Sequence, residues 1–140
     1  MNWTLEVIVV PVSDVDRAKS FYADKVGFAV DHDTRASDEL RVVQLTPPGS
    51  GCSIVIGTGL NDAAPGSIKG LQLVVADIQA ARAELVERGV AVSEITQIDP
   101  RDGGTFVYFD DPDGNSWAVQ ELRARARPVR GTAGFGRRPV

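Results

Sequence analysis

The sequence predicts an α+β fold assembled from two similar βαβββ modules, and three observations carry that prediction. Short β-branched apolar runs alternate with only two segments of helical spacing, a mixture that fits neither an all-helical nor an all-strand chain. The order of strand, capped helix, glycine and further strands occurs twice: VIVVPVSDVDRAKSFYADKVGF lies over GLQLVVADIQAARAELVERGV, with Asp14 on Asp77 and Gly27 on Gly89. Finally, 140 residues with 43% hydrophobic content make one core of ordinary size and too little for two independent large domains. A repeat of about 60 residues is too long for a solenoid unit, so two modules pairing into one domain are expected.

The elements follow in order. Leu5 to Val12 (LEVIVVPV) is β-branched and nearly all apolar, as suits a strand covered on both faces. Ser13 or Asp14 then caps a helix over Asp14 to Val26, whose Val15, Ala18, Phe21, Tyr22 and Val26 share one face until Gly27 ends it. Strands are predicted at Phe28 to Thr34, Leu40 to Thr46 and Ser53 to Thr58, the last two joined by the glycine-bearing loop PPGSGC. After GLNDAAPGSIKG the pattern restarts with a strand over Gly70 to Ala76. Asp77 caps a helix running to Arg88, with Ile78, Ala81, Leu85 and Val86 as its apolar face. Strands over Ala91 to Ile98, Thr105 to Phe109 and Ser116 to Leu122 complete the second module. One domain over residues 1–122 is expected, with modules at 4–58 and 69–122.

Charge divides the chain differently. Residues 1–122 hold all 19 acidic groups and 9 of the 15 basic ones, near −10, whereas the arginines of residues 123–140 make that tail +6. RARARPVRGTAGFGRRPV is rich in glycine and proline and lacks hydrophobic periodicity, so it is not expected to fold alone; it is expected to lie against acidic protein surface with Phe135 as its anchor. The acidic body repels phosphate backbones, which disfavours nucleic acid as a partner. No apolar run approaches a membrane span, and MNWTLEVIVVPV shows neither a charged leader nor a small-residue cleavage site, so a soluble, cytoplasmic protein is expected. The single cysteine, Cys52, excludes an internal disulfide and a cysteine-based zinc cluster and reads as a small buried hydrophobe.

Three stretches, VSDVDRAKSFYADKVGF, LVVADIQAARAELVERGV and FDDPDGNSWAVQE, together resemble the vicinal oxygen chelate superfamily of glyoxalases, bleomycin-resistance proteins and extradiol dioxygenases, over Thr4 to Leu122. The resemblance implies paired βαβββ modules whose mixed sheets curl into a cup for a small molecule, commonly within a homodimer. It names no substrate, because the fold hosts isomerases, dioxygenases and drug-sequestering proteins.

The resemblance also implies four metal-ligand positions, one near the start of the first strand and one late in each module. Seven residues before Asp14 and Asp77 stand Val7 and Gly70; three past Asn115 stands Ala118, whose counterpart in SIVIGTG is Val55 to within a residue. Aliphatic side chains offer no lone pairs, so no metal and no cofactor are expected. Period-two alternation adds Gln72 and Gln120 to the same faces as Gly70 and Ala118, where amides either orient an organic ligand or bond one another. Val7, Val55, Gly70, Gln72, Ala118 and Gln120 are therefore the expected ligand-binding cup. DPDG itself reads as a turn in which Asp111 and Asp113 bond to nearby backbone and the carboxylates otherwise face solvent, Glu121 as a rim or dimer-contact charge beside Trp117 and Val119, and His32 as a solvated residue on a polar edge strand.

No catalytic residue can be assigned. GTGL leads into NDAAPG rather than a helix and is no phosphate loop, and a single histidine supports no Ser-His-Asp set. Two functions compete: a metal-free protein that binds a small, partly aromatic or apolar molecule, and a metal-dependent lyase or dioxygenase using non-standard ligands, or a metal-free isomerase using His32 or a tyrosine.

Overall fold

The computed structural model describes residues 1–98 and 104–123; the tail arginines after Arg123, and Phe135 with them, lie outside the described residues. The chain runs β1 (Val7–Val9), α1 (Val15–Ser20), a π-helical turn and a half (Phe21–Val26), β2 (Ala29–Arg35), β3 (Arg41–Thr46) and β4 (Ser53–Thr58). It then repeats as β5 (Leu71–Val75), α2 (Ile78–Glu87), β6 (Thr96–Gln97), β7 (Thr105–Asp110) and β8 (Ser116–Glu121). Two four-stranded mixed sheets result, in the orders β1-β4-β3-β2 and β5-β8-β7-β6. In each sheet the first strand pairs parallel to the last and the remaining neighbours are antiparallel.

The repeat extends to atomic detail. Asp14 and Asp77 adopt the same extended backbone, and their carboxylates accept from the N–H groups of Arg17 and Ala80 at 3.0 and 3.1 Å, each satisfying an orphan donor of the first helical turn. Gly27 and Gly89 end the two helical segments at φ of 95° and 88°, a left-handed conformation that costs glycine nothing.

Both sheets give one face to a shared core. Val43, Leu45, Ile54 and Ile56 of the first and Val107, Phe109, Trp117 and Val119 of the second are buried with Ala18, Phe21, Tyr22, Ile78 and Leu85 of the helical segments. The helical segments thus lie between the sheets, and each sheet turns its other face outward. The π-helical turn, in which Tyr22 C=O accepts from both Gly27 and Phe28 N–H, holds the adjacent rings of Phe21 and Tyr22 buried together. Tyr22 stacks on Phe28 and meets Trp117 at a centroid distance of 5.7 Å, while Phe109 stacks parallel to Trp117 at 6.0 Å.

Several sequence expectations need correction. The first strand is shorter than Leu5 to Val12 and, among the described residues, covered on one face only: Val10 is fully buried, yet Leu5 and Val7 remain 69% and 40% exposed. Pro11 lacks the N–H to continue the ladder. The strand expected over Ala91 to Ile98 shrinks to Thr96–Gln97, because the Ser93 hydroxyl accepts from Tyr108 N–H at 2.9 Å in place of a ladder carbonyl. Val86 of α2 is half exposed and leaves the apolar face to Ile78, Ala81 and Leu85. Cys52 is only partly buried.

The DPDG turn forms, and Asp111 bonds to nearby backbone as expected, but the turn's carboxylates do not face solvent. Asp111 is buried, and its Oδ1 accepts from the N–H groups of Asp113 and Asn115 within the turn. Its Oδ2 accepts from Asn115 Nδ2 at 2.8 Å and from the Tyr22 hydroxyl of the first module at 2.7 Å. Fully buried Asn115 also donates to Pro11 C=O and accepts from Ile68 N–H. Asp113 accepts from Ser13 N–H and Oγ. The turn is a polar clasp that joins the two modules. Burial, reinforced by the hydrogen bond to Asp111, pushes the Tyr22 hydroxyl far above the ordinary tyrosine range.

Candidate ligand-binding faces

The outward face of the first sheet has an apolar floor and a polar wall. Registers of Val7 with Ser53, Val9 with Val55 and Gln44 with Val55 place these side chains on one face, since paired residues share a side. A β-bulge between Val30 and His32 breaks the alternation of β2, so that Asp31 reaches this face beside His32, the partner of Gln44. The Asp31 carboxylate accepts through Oδ2 from Gln44 Nε2 at 3.1 Å and from the Thr46 hydroxyl. Thr46 Oγ1 in turn lies 2.6 Å from Ser53 Oγ.

The outward face of the second sheet is built around a small residue. Ala118 sits between Gln72 on β5 and Tyr108 on β7, and Gln120 lies between Val74 and Phe106. The Phe106 and Tyr108 rings stack with centroids 6.0 Å apart and planes within 8°, and Tyr108 is 41% exposed. Gln72 Nε2 donates to Gln120 Oε1 at 2.7 Å, so the amides do bond one another, leaving Gln120 Nε2 as a donor and Gln72 Oε1 as an acceptor.

Superposing the ladders Ile8–Ile54 and Leu71–Trp117 sets Val7 on Gly70 and Val55 on Ala118, the equivalence expected from the sequence. The structure brings the six expected residues into two sets: Val7 and Val55 on the first face, and Gln72, Ala118 and Gln120 on the second, with Gly70 leading into it. Because both sheets give their inner faces to one core, a single chain does not bring the two sets together. Val7, Gly70, Val55 and Ala118 carry no side-chain donor atom, and the nearby amides are engaged with each other; this donor set does not fit a divalent cation. Asp31, Gln44, Thr46 and Ser53 were not among the expected residues, although the alternation of RVVQLT marks Gln44 and Thr46 as one polar side of a half-buried strand.

Glu121 is not a rim charge. It faces the core side with Trp117 and Val119, and its Oε2 accepts from Ile78 N–H at 3.0 Å, capping the start of α2. His32 stays exposed. Elsewhere a cavity of about 340 Å³ opens between the modules, with Phe28, Pro47, Leu73 and Phe109 on its walls and the Glu84–Arg88 ion pair at its edge. Among the described residues that line it, Glu84 and Arg88 are the charged groups, and they are paired with each other. Arg41 anchors the inner side of the first sheet, bridging Asp33 at 2.8 Å and Asp16 at 2.9 Å. That guanidinium, with Lys19, holds the Asp33 carboxyl well below the usual carboxylate range.

Comparison with known proteins agrees with this geometry. TnmS3, an antibiotic binding protein from Streptomyces sp. CB03234, is similar at 36% identity with a TM-score of 0.75, over 86% of this chain and 96% of that one. A glyoxalase/bleomycin resistance protein from the same Streptomyces is also 36% identical, with a TM-score of 0.73, over 84% of this chain and all of that one. A superfamily member from Sphaerobacter thermophilus DSM 20745 reaches 29% identity and a TM-score of 0.74, over 86% and 98% of the two chains. No curated protein matches the chain. No helix among the described residues is long and apolar enough to cross a membrane. Residues 4–119 match the model of the Glyoxalase/Bleomycin resistance protein/Dioxygenase superfamily, and with the two βαβββ modules this places the chain in that family.

Proposed function

We propose that the protein binds a small, partly aromatic or apolar organic molecule, without a metal centre and without transforming it. The observation that carries this reading is the pair of outward faces. Each offers a small or aliphatic floor, each is edged by hydrogen-bonding side chains, and among the described residues no group of three or more histidine, cysteine, aspartate or glutamate side chains converges on either. The stacked Phe106 and Tyr108 give a flat ring somewhere to rest, and the Gln72–Gln120 pair offers one donor and one acceptor to an edge of the same ring. The likeness to an antibiotic binding protein at 36% identity supports the same class.

A cup containing all six expected residues needs the first face of one chain to meet the second face of another, and we propose a homodimer of this kind. Its driving force is the exposed apolar surface of Leu5 and the edges of β1 and β5, which pair with no further strand among the described residues. The binding unit we assign to residues 1–122.

A thermal-shift screen against aromatic antibiotics and oxo-acids tests the binding reading, because a molecule that binds only the folded state raises its melting temperature. Stabilisation by aromatic compounds alone is expected. Stabilisation only by oxo-acids, together with stoichiometric nickel, zinc, iron or manganese in the purified protein, would favour a metal-dependent lyase or dioxygenase instead.

A further inference from the structure

Asp31 carries a carboxylate whose two oxygens are used differently. Its Oδ2 takes both donors that reach it, Gln44 Nε2 and the Thr46 hydroxyl, and Ser53 Oγ stands behind Thr46 at 2.6 Å. Proton counting gives the cluster one orientation. Thr46 has a single O–H, which goes to the carboxylate, so Ser53 must donate its own to Thr46 Oγ1. Gln44 Nε2 lies within 3.5 Å of Ser53 Oγ and completes the frame from the other side. Among the described residues no hydrogen bond reaches Oδ1.

The surroundings make that arrangement unlike an ordinary surface aspartate. The neighbouring acid on the same strand, Asp33, is neutralised by Lys19 at 2.9 Å and Arg41 at 2.8 Å, whereas no salt bridge among the described residues includes Asp31. The carboxylate reaches the outward face only because the β-bulge turns it there, beside an apolar floor that includes Val7, Val9 and buried Val55. The hydroxyls and the amide fix its position before any ligand arrives, so little side-chain freedom is lost on binding. A body near −10 adds a long-range attraction of the same sign.

We infer that the Asp31 carboxylate, held by Gln44, Thr46 and Ser53, is a specificity determinant that selects ligands carrying a protonated amine beside their aromatic or apolar body. The inference rests on the proposed binding function and names the charge class of its ligand. An ammonium N–H donates to Oδ1 while the ring system covers the valine floor. A neutral ring of equal size meets the same floor without that bond, and an anionic one is repelled.

Titration with two fluorescent rings of similar size separates the possibilities: the ammonium form of 9-(aminomethyl)anthracene and neutral 9-anthracenemethanol, each at low and moderate salt. The wild-type protein is expected to bind the cation at least about tenfold more tightly, the scale of one hydrogen bond to a charged group. Asp31→Asn keeps an oxygen for Thr46 and Gln44 and should remove most of that preference while leaving the affinity of the neutral ring unchanged. Glu87→Gln, on the exposed side of α2, lowers the overall negative charge equally and should leave the preference intact. Equal affinity for the two rings, a preference that survives Asp31→Asn, or one lost equally in Glu87→Gln would overturn the inference while leaving the binding function standing. Failure to bind either ring, with no stabilisation in the wider aromatic screen, would overturn the binding function as well.

Discussion

The Tyr22 hydroxyl of the first module donates to Asp111 Oδ2 of the second at 2.7 Å, joining residues 89 positions apart, and Trp117 Nε1 donates to the same hydroxyl at 3.0 Å. Tyr22→Phe keeps the ring packing but leaves a buried indole N–H without its acceptor and removes one donor from a buried carboxylate. A loss of about 1–3 kcal/mol is expected, read as a lower urea midpoint with unchanged slope.

The same hydroxyl makes an alkaline prediction. Its pKa in the folded protein lies above the unfolded value near 10, so the folded state retains a proton that the unfolded state releases. The contribution is complete below pH 10 and falls as pH rises further, by about 1.4 kcal/mol per pH unit until the folded pKa is reached. Tyr22→Phe should flatten that alkaline limb; a limb of unchanged steepness in the variant would show that other groups produce it.

Asn115 makes three side-chain bonds while fully buried, to Pro11, Asp111 and Ile68. Asn115→Ala strands all three partners and is expected to cost more than Tyr22→Phe, about 2–4 kcal/mol by chemical denaturation. A cost below 1 kcal/mol, on the order expected for a surface site, would mean the clasp is not what joins the modules.

In acid the relevant group is Asp33. Arg41 first, then Lys19, lower its folded pKa below the unfolded value, so its contribution is present above about pH 4 and lost as pH falls through the folded pKa. Asp33→Asn should lose a little stability at neutral pH and become less sensitive to acid below about pH 4.

These relationships mark how far the sequence is legible. Both helices, both caps and both terminal glycines follow from local chemistry, because an aspartate accepting from an N–H three residues on acts within one turn. Val7, Gly70, Val55 and Ala118 fall on equivalent positions because strand alternation and the repeat are themselves periodic. What could not be read is long-range or aperiodic. The Asp111 carboxylate looks like any turn aspartate until a tyrosine arrives from the other module. Asp31 reaches its face through a bulge that no periodicity announces, and LEVIVVPV looks doubly covered because nothing local records that one face of β1 lacks a neighbour among the described residues.

Tyr108 should matter to binding more than to folding. Tyr108→Ala removes an exposed ring from the second face and is expected to weaken an aromatic ligand found in the thermal-shift screen by about tenfold, with a melting temperature little changed. An unaltered affinity would remove the Phe106–Tyr108 platform from the site.

Binding without a metal is the property most central to the proposed function. Calorimetric titration of that same aromatic ligand should be made into the protein as purified, after exhaustive chelation, and after reloading with nickel, zinc, iron or manganese. One dissociation constant and one stoichiometry are expected in all three states, since valine, glycine and alanine stand at the positions where the family resemblance implies metal ligands. Binding that disappears on chelation and returns with a metal would contradict the account.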